Sequence, residues 1–315
     1  MRLAIVSLTL VVAMAATAPA RDIFVNNVAG NDRSAGQSSE PTGDPNGPLL
    51  TIGRALRMAV SCDRIVLANT GVPYAESISL VGSRNSGWQE QLFVLLGNGA
   101  ILDGTAPVPA DAWEYAQGNV FCFRPRELGH QQLFLEGRPA TLVLSTETAD
   151  LAKLQPLQWT MLGGAIYFCT EPGKRPESYA LSYAEKSTGI TLYHVEHVAI
   201  IDLTVQGFRL DGIQAANSAR QVWLTSVTAR GNGRCGVTVG GASQVTLQAC
   251  TVGDNRFAQL LTRPYSETHV YDSDLPRLTA PAWIDQGGRF YLEKQRIEGG
   301  REEILGEPVA PKTEG

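Results

Sequence analysis

Apolar and polar positions alternate along residues 195–275, and the alternating runs recur with a period in the low twenties. Val198, Val222, Val245 and Val270 each open such a run, at offsets of 24, 23 and 25 residues. Glycine, asparagine, aspartate and serine separate the runs, and this combination is typical of short strands joined by turns. Self-similarity at a fixed period of this length indicates a solenoid. We therefore predict short parallel strands that stack on one another from repeat to repeat.

A leucine-rich repeat is the alternative with a similar period, but it needs a leucine-asparagine phrase followed by a helical segment. No run in 195–275 has the i, i+3, i+4, i+7 spacing of a helix, and the second half of each unit is rich in glycine and β-branched residues. A coil of three short strands fits this pattern better. Its inward positions would form an apolar ladder, buried by the coils above and below. Three predicted members of this ladder are Ile200, Leu224 and Leu247.

One helix is predicted near the N-terminus. Thr51 is a suitable N-cap, and Ile52, Ala55, Leu56 and Ala59 then recur at helical spacing. The first coil of a solenoid has no neighbour on one side. We therefore expect the apolar stripe of this helix to cover the open end.

The repeat is interrupted between residues 105 and 187, where aromatic strands separated by glycine turns take its place. We predict a small antiparallel β-subdomain here, inserted between the N-terminal part of the solenoid (21–104) and its C-terminal coils (188–298). The segment 299–315, rich in glycine, glutamate and proline, is expected to be a disordered tail. The strands predicted for the insertion are Phe121–Phe123, Gln132–Leu135, Thr141–Leu144, Ala165–Cys169 and Tyr179–Tyr183.

Four further phrases extend the pattern towards the N-terminus, namely Val25–Asp32, Pro48–Leu56, Ile65–Tyr74 and Leu96–Gly104. Together with the repeat they resemble the right-handed parallel β-helix group, the pectate-lyase-like superfamily of secreted proteins that act on polysaccharides. The resemblance implies an all-β chain wound as a right-handed, single-stranded parallel β-helix, and the insertion is similar to those of several β-helix glycosidases. It also implies a polysaccharide ligand. Since many activities share this fold, a lyase, a glycosidase and a non-catalytic carbohydrate-binding or cell-surface module all stay open.

Residues 1–20 have the pattern of an export signal. Arg2 supplies the positive charge, Leu3–Ala15 is an apolar core too short to span a bilayer, and Ala18–Ala20 is a small-residue cleavage site. We expect a mature chain that begins at Arg21, is periplasmic, extracellular or at the cell surface, spans no membrane and is a monomer. The formal net charge of −5 argues against nucleic acid, whose binding proteins present basic surfaces.

The chain has five cysteines, so at least one stays unpaired in an exported protein. Cys122 and Cys169 both lie in aromatic strands of the insertion and are the best candidates for a disulfide. Cys250 falls in a column with Leu203 and Val227 and is expected in the core. No CxxC or Cys/His cluster indicates a zinc site.

A calcium site is the one metal site that the sequence suggests, and we expect no other cofactor. The polar loop 30–48 carries carboxylate and amide oxygens, which are the ligands that Ca²⁺ prefers. The same residues are equally typical of ordinary turns. The side chains in question are Asp32, Asp44 and Asn46.

Asp211 is a candidate catalytic residue. The phrase Leu210–Ile213 is similar to the Asn-Thr-Asp-Gly motif of polygalacturonases, in which the aspartate belongs to an acid–base trio. The next two coils supply the other members in those enzymes, but here they read Gly233–Gly236 and Asn255–Ala258. A turn-capping role for Asp211 is the alternative.

Arg209, Arg234 and Arg256 precede equivalent strands in three successive coils. Stacked coils are about 4.8 Å apart, so a column of three guanidiniums is predicted. Guanidinium binds carboxylate through two hydrogen bonds and stays charged. We therefore predict an acidic polysaccharide as ligand, with Arg234 a candidate catalytic residue that neutralises the sugar carboxylate and Arg209 and Arg256 as binding residues. Solvated turn arginines are the alternative.

A group of acidic residues in the last coils is the third candidate site. It would suit a glycosidase or Ca²⁺ if its carboxylates converged, and otherwise it consists of solvated turns. Its members are Asp254, Asp272 and Asp274.

Overall fold

The computed structural model describes residues 20–41, 45–145, 147–297 and 300–301, and these residues are nearly all β. The N-terminal elements are β1 (Asp22–Val25), α1 (Ile52–Met58), β2 (Arg64–Leu67), β3 (Ile78–Val81) and β4 (Phe93–Asp103). The next strands are β5 (Thr105–Pro107), β6 (Glu114–Gln117), β7 (Val120–Phe123), β8 (Leu133–Leu135), β9 (Arg138–Pro139), β10 (Thr141–Leu142), β11 (Gln158–Leu162), β12 (Ala165–Cys169) and β13 (Leu181–Ala184).

The C-terminal strands are β14 (Ile190–Tyr193), β15 (Glu196–Gln206), β16 (Ile213–Asn217), β17 (Arg220–Thr225), β18 (Thr228–Arg230), β19 (Cys235–Val239), β20 (Gln244–Gln248), β21 (Thr251–Gly253), β22 (Ala258–Thr262), β23 (Glu267–Tyr271), β24 (Trp283–Asp285), β25 (Arg289–Leu292), β26 (Gln295–Ile297) and β27 (Gly300–Arg301). Short 3₁₀ helices occur at Ser83–Asn85, Ala110–Ala112, Thr148–Lys153 and Pro176–Ser178.

Two long, mostly parallel sheets contain the strands outside the segment 105–184. The first has the order β1-β2-β4-β15-β17-β20-β23-β25, with β26 antiparallel at its end and with β18 and β21 paired alongside. The second has the order β3-β14-β16-β19-β22-β24, with β27 antiparallel at its end. Although the segment 105–184 separates them in sequence, β4 pairs with β15 and β3 pairs with β14. The strands before and after that segment therefore form one continuous stack.

The register between strands confirms the predicted repeat for three of its four valines. Val198 pairs with Val222, and Val222 pairs with Val245. The next residue in this column is Thr268, so the assignment of Val270 to it is wrong by two residues. Because side chains alternate with a period of two, both Thr268 and Val270 stay on the inner face, and both are fully buried.

The predicted apolar ladder is confirmed. Ile200 pairs with Leu224, Leu224 pairs with Leu247, and all three side chains are fully buried. They belong to one hydrophobic core that draws residues from both long sheets. The same core contains the predicted column of Leu203, Val227 and Cys250.

The predicted helix is confirmed as α1, which packs against β1, β2 and β3. Thr51 caps it, because its hydroxyl accepts a hydrogen bond from Arg54 N at 3.1 Å. The carboxylate of Glu76 accepts two more bonds at the helix start, from the amides of Ile52 and Gly53 at 2.8 and 2.9 Å. These contacts satisfy amides that a helix of this length leaves unpaired at its N-terminus.

The segment 105–184 forms two sheets of its own, with the orders β10-β11-β12-β7-β6 and β5-β13-β8-β9. Every pair in them is antiparallel except β10 with β11. The five predicted strand phrases correspond to β7, β8, β10, β12 and β13, whereas β5, β6, β9 and β11 were not predicted. A separate aromatic core, which includes Trp159 and Phe168, holds the two sheets together.

Cys122 and Cys169 lie on neighbouring strands but do not form the predicted disulfide, and both are free thiols. Across the antiparallel pair β7–β12, Cys122 is opposite Tyr167 and Cys169 is opposite Val120. The two cysteines are therefore diagonal neighbours, with Cβ atoms about 7 Å apart, whereas a disulfide needs about 3.8 Å. Strand periodicity placed both cysteines on strands but gave no register between them.

The predicted export signal (1–20) lies outside the described residues apart from Ala20, as does most of the predicted tail (299–315). The two described residues of that tail, Gly300 and Arg301, pair with β24 as a short strand. No helix among the described residues is long and apolar enough to cross a membrane.

Candidate functional site

Asp211 and the three arginines lie in stacked turns that lead into β16, β19 and β22, a region that we call the corner. The register of the following strands, when continued back into these turns, places Gly233 beside Arg209 and Arg256 beside Gly233. Arg234 is one residue further along its turn. The three guanidiniums therefore do not form the single column that was predicted from their positions before equivalent strands.

Two of the arginines attach the segment 105–184, which we call the insertion, to the strands of the two long sheets, which we call the repeats. Arg209 Nη1 donates a hydrogen bond to the carbonyl oxygen of Leu128 at 2.8 Å. Arg256 Nη1 donates to the carbonyl oxygen of Gln131, also at 2.8 Å, and burial lowers the pKa of Arg256. Both acceptors belong to residues 127–132, which we call the docking loop. The two residues predicted to bind substrate thus bind backbone of the protein itself.

Asp211 and Arg234 are brought together as a buried ion pair. Arg234 Nε donates to Asp211 Oδ1 at 2.8 Å, and Nη2 donates to Oδ2 at 2.5 Å. The Asp211 side chain is fully buried, whereas that of Arg234 retains 19% of its exposure. The hydrogen bonds to Asp211 raise the pKa of Arg234, despite the opposing effect of burial. Since both carboxylate oxygens are occupied and enclosed, Asp211 has a structural role here.

Gly233 allows the docking loop to approach the corner closely. A Cβ atom at this position would lie 1.8 Å from the carbonyl oxygen of His130 and 2.5 Å from that of Arg209. Any side chain here would displace one of the two backbones. Between Arg209 and Arg256 the stack has a glycine at residue 233, because a side chain there would collide with the docking loop.

The docking loop places His130 at the surface above the corner, a position that the sequence analysis missed. Partial burial lowers the pKa of this histidine, Arg234 and Arg256 lower it further, and Arg209 adds to the effect. Asp211 opposes the shift without reversing it. The corner is therefore net cationic at the imidazole, and His130 is neutral at neutral pH.

Stability should fall in mildly acidic solution because of His130. Its folded pKa is below the unfolded value of about 6.5, so the unfolded chain binds more protons as the pH drops below about 6.5. The folded protein loses stability from that pH down through the folded pKa. We expect His130→Asn, which tolerates the φ of 50° at this residue, to reduce the decline in the urea midpoint between about pH 7 and 5.

The matched control for this titration is Leu128→Asn, which changes an exposed residue of the same docking loop and removes no titratable group. This variant should keep the decline of the unmodified protein. An unchanged decline in His130→Asn would show that the cationic corner does not act on this histidine.

Two buried asparagines order the corner from inside and were also missed. Asn232 Oδ1 accepts from the amide of Phe208 at 3.0 Å, and Asn255 Oδ1 accepts from the amide of Asn232 at 3.0 Å. Asn255 Nδ2 in turn donates to Ala229 O at 3.0 Å. The available signal was the recurrence of asparagine at a separation of 23 residues, one repeat.

A cleft of about 350 Å³ lies where the β8–β9 hairpin of the insertion meets the repeats, and we call it the seam cleft. The two walls approach each other closely at Gly231, since a Cβ atom on this residue would lie 3.3 Å from the ring of Phe134. The insertion contributes Phe134, Gly137, Arg138 and Pro139, and the repeats contribute Gln206, Arg230, Gly231 and Asp254.

The seam cleft carries charged groups on both walls. Gln206 donates to Asp103 Oδ2 at 2.7 Å and accepts from Arg230 Nε at 3.0 Å, which orients the Arg230 guanidinium. Within the described part of the chain, Arg230 and Arg138 form no ion pair, and the Asp254 carboxylate has no hydrogen-bond partner. These two arginines and Asp254 are therefore available to a ligand, although the sequence analysis singled out only Asp254.

In the possible calcium loop, Asp32 stabilises the turn before α1. The carboxylate of Asp32 accepts hydrogen bonds from the amides of Leu50 and Thr51 and from the Thr51 hydroxyl, at 2.8 to 3.0 Å. Asp44 lies outside the described residues. No group of three or more His, Cys, Asp or Glu side chains in the described ranges is arranged to hold a metal ion. In the acidic group of the last coils, the carboxylate of Asp272 accepts a hydrogen bond from the side-chain amide of Gln248 at 2.7 Å.

No family model and no curated protein matches the sequence. Two of the solved structures that match this chain are described here. One, described as "Glycoside hydrolase", has a TM-score of 0.57 and 11% identity over 78% of this chain and 68% of its own. The other, "The complex structure of XylC with xylose", has a TM-score of 0.44 and 10% identity over 90% of this chain and 73% of its own. At 11% identity the first similarity is one of fold.

Proposed function

We propose that this protein binds an acidic polysaccharide in the seam cleft. The observation that carries the proposal is the presence of two guanidiniums, those of Arg138 and Arg230, on opposite walls of one cleft without a carboxylate partner among the described residues. The formal net charge of −5 would repel a polyanion unless local cations outweighed it. Guanidinium pairs with carboxylate through two hydrogen bonds, so a uronate residue suits these walls. Asp254 would then accept a hydrogen bond from a sugar hydroxyl.

The wider setting of this proposal is an exported, monomeric protein wound as a right-handed, single-stranded parallel β-helix. Its support is the stack of parallel strands from successive repeats, the apolar core between the two long sheets and the signal-like residues 1–20. A polysaccharide ligand is supported by the similarity in fold to a structure described as a glycoside hydrolase. Polysaccharides are available to a protein outside the cytoplasm.

The arrangement favours binding over cleavage. Hydrolysis of a glycosidic bond uses two carboxyl groups on either side of the bond, and Asp254 is the one carboxylate in the described lining of the seam cleft. That lining also has no histidine, lysine or tyrosine to remove a proton in an elimination. Asp211 is fully buried against Arg234 and does not reach the cleft. We therefore expect neither new reducing ends nor unsaturated products from polygalacturonate.

The proposal is tested by titrating the protein with polygalacturonate and with its fully methyl-esterified form. The two polymers share a backbone but differ in charge. We expect only the charged polymer to bind. Arg230→Gln and Arg138→Gln should each weaken binding about tenfold, since a hydrogen bond to a charged group contributes roughly 1.5–3 kcal/mol. Added salt should also weaken binding of polygalacturonate to the unmodified protein. Salt screens the attraction between the exposed arginines and the polymer, with a screening length of about 8 Å at physiological ionic strength.

The control variant is Arg175→Gln, which makes the same change in net charge on the insertion. Arg175 has a 77% exposed side chain and does not line the seam cleft. It should bind polygalacturonate as the unmodified protein does. Equal binding of both polymers, or equal weakening by all three variants, would contradict the proposal.

A further inference from the structure

A second groove, of about 310 Å³, lies where the second long sheet connects to the first. Its walls come from the segments between α1 and β2 and between β3 and β4, and from the turns before β15 and β17 with the first residue of each of these strands. Neighbouring repeats therefore build it. The seam cleft lies beyond the far ends of β15 and β18, at a different edge of the repeats. We call the second groove the Trp88 groove. The side chains used below are Ser83, Trp88, His194, Glu196, Ser218 and Arg220.

Trp88 presents a large aromatic surface to solvent. Its side chain is 61% exposed, although large aromatic residues are usually buried. The backbone beneath it is fixed, since Trp88 N donates to Gln91 O at 2.8 Å and Gln91 N donates back to Trp88 O at 3.1 Å. The preceding Gly87 is so tightly packed that a Cβ there would lie 2.5 Å from Gln91 O. A fixed aromatic platform binds a ligand with little loss of conformational entropy.

Hydrogen-bonding groups of both kinds surround this platform. Glu196 supplies acceptors and Arg220 supplies donors; their charged atoms are 3.9 Å apart and their side chains are 56% and 59% exposed. An exposed pair at that distance is weak, so both groups are available to a ligand. The imidazole of His194 lies edge-on against the ring of Tyr193, with centroids 4.3 Å apart, and makes no hydrogen bond within the described residues. Ser83 and Ser218 also line the groove, and their hydroxyls can donate or accept a hydrogen bond.

From this arrangement we infer that the Trp88 groove binds a neutral pyranose unit of a glycan. One face of a pyranose ring carries C–H groups that stack on an indole, while its hydroxyls radiate outwards as both donors and acceptors. The charges of Glu196 and Arg220 cancel, so the groove has no preference for an anion. A quaternary ammonium would also stack on the indole, but it has no hydroxyl groups to pair with the donors and acceptors around the indole. The inference adds a second ligand site and is independent of the seam cleft.

The test is calorimetric titration of the whole protein with cellohexaose, xylohexaose, mannohexaose and, separately, choline chloride. We expect at least one hexasaccharide to bind and choline not to bind. Trp88→Ala should weaken that binding about tenfold, as truncation of an aromatic residue at the centre of a site typically does. Trp88→Phe should retain most of it. Because the side chain is mostly exposed, Trp88→Ala should fold, and its circular dichroism spectrum checks this.

The matched control is Tyr265→Ala, which removes an aromatic residue with 87% exposure that lines neither groove. Hexasaccharide binding should be unchanged in this variant and in Arg230→Gln. Polygalacturonate binding should be unchanged in Trp88→Ala, so failure of one site is distinguishable from failure of the other. Binding of choline alone, binding of none of the hexasaccharides, or equal affinity of Trp88→Ala and the unmodified protein would overturn the inference.

Discussion

Replacement of Leu224 by aspartate is expected to prevent the chain from folding. Leu224 is fully buried between Ile200 and Leu247, which stack on it from the two neighbouring repeats. An unpaired carboxylate at this point would be surrounded by apolar side chains, at a cost of several kcal/mol. A typical domain has only about 5–15 kcal/mol of stability in total. The circular dichroism spectrum and the soluble yield of the variant should show the loss.

The control for this variant is Thr225→Asp, one residue along the same strand. Thr225 is partly exposed because it lies on the outer face, so aspartate there should change the free energy of unfolding by about 1 kcal/mol or less. The two variants introduce the same charge on opposite faces of β17. A folded Leu224→Asp protein with an unchanged urea midpoint would show that position 224 does not face the core.

Arg234→Ala should destabilise the protein by about 3–5 kcal/mol, because it leaves a buried charge without its partner. Asp211 is fully buried and both of its carboxylate oxygens accept hydrogen bonds from Arg234. Asp211→Asn should cost less, since the Arg234 guanidinium retains some exposure and keeps a polar neighbour. The double variant should be more stable than Arg234→Ala alone. Urea unfolding of the three proteins measures these differences.

An exposed ion pair provides the matched control for the buried one. The pair Arg220–Glu196 has both side chains more than half exposed, so Arg220→Ala should change the stability by only about 0–1 kcal/mol. If Arg234→Ala is no more damaging than Arg220→Ala, the corner pair is not structural. Asp211 would then return as a candidate acid or base.

The repeat predicted most of the fold because the alternation of side chains in a strand depends only on neighbouring residues. A period-two alternation fixes which side chains face inwards, so Leu224 and its neighbours could be assigned to the core from sequence. The fourth repeat was misplaced because a threonine, Thr268, takes the position of a valine in the buried column. The register there depends on the whole strand, and one apolar residue is not enough to set it.

The candidate site was predicted less well because it depends on how the insertion docks. The repeat brought Arg209 and Arg256 to the same corner, but it carried no information on the docking loop whose carbonyl groups they bind. Arg138 and Arg230 are 92 residues apart and belong to different periodic patterns, so no spacing rule connects them. Only the packing of the hairpin against the repeats makes them two walls of one cleft.

Hydrogen–deuterium exchange with and without polygalacturonate tests most directly whether the acidic polymer binds in the seam cleft. If the acidic polymer occupies the seam cleft, exchange should slow in peptides that cover 136–140, 229–233 and 253–256, the backbone of its two walls. Peptides that cover 84–91 should exchange at the same rate in both samples, because the Trp88 groove has no preference for an anion. Protection confined to the Trp88 groove, or no protection on either wall of the seam cleft at saturating polymer, would show that the seam cleft does not bind the acidic polymer.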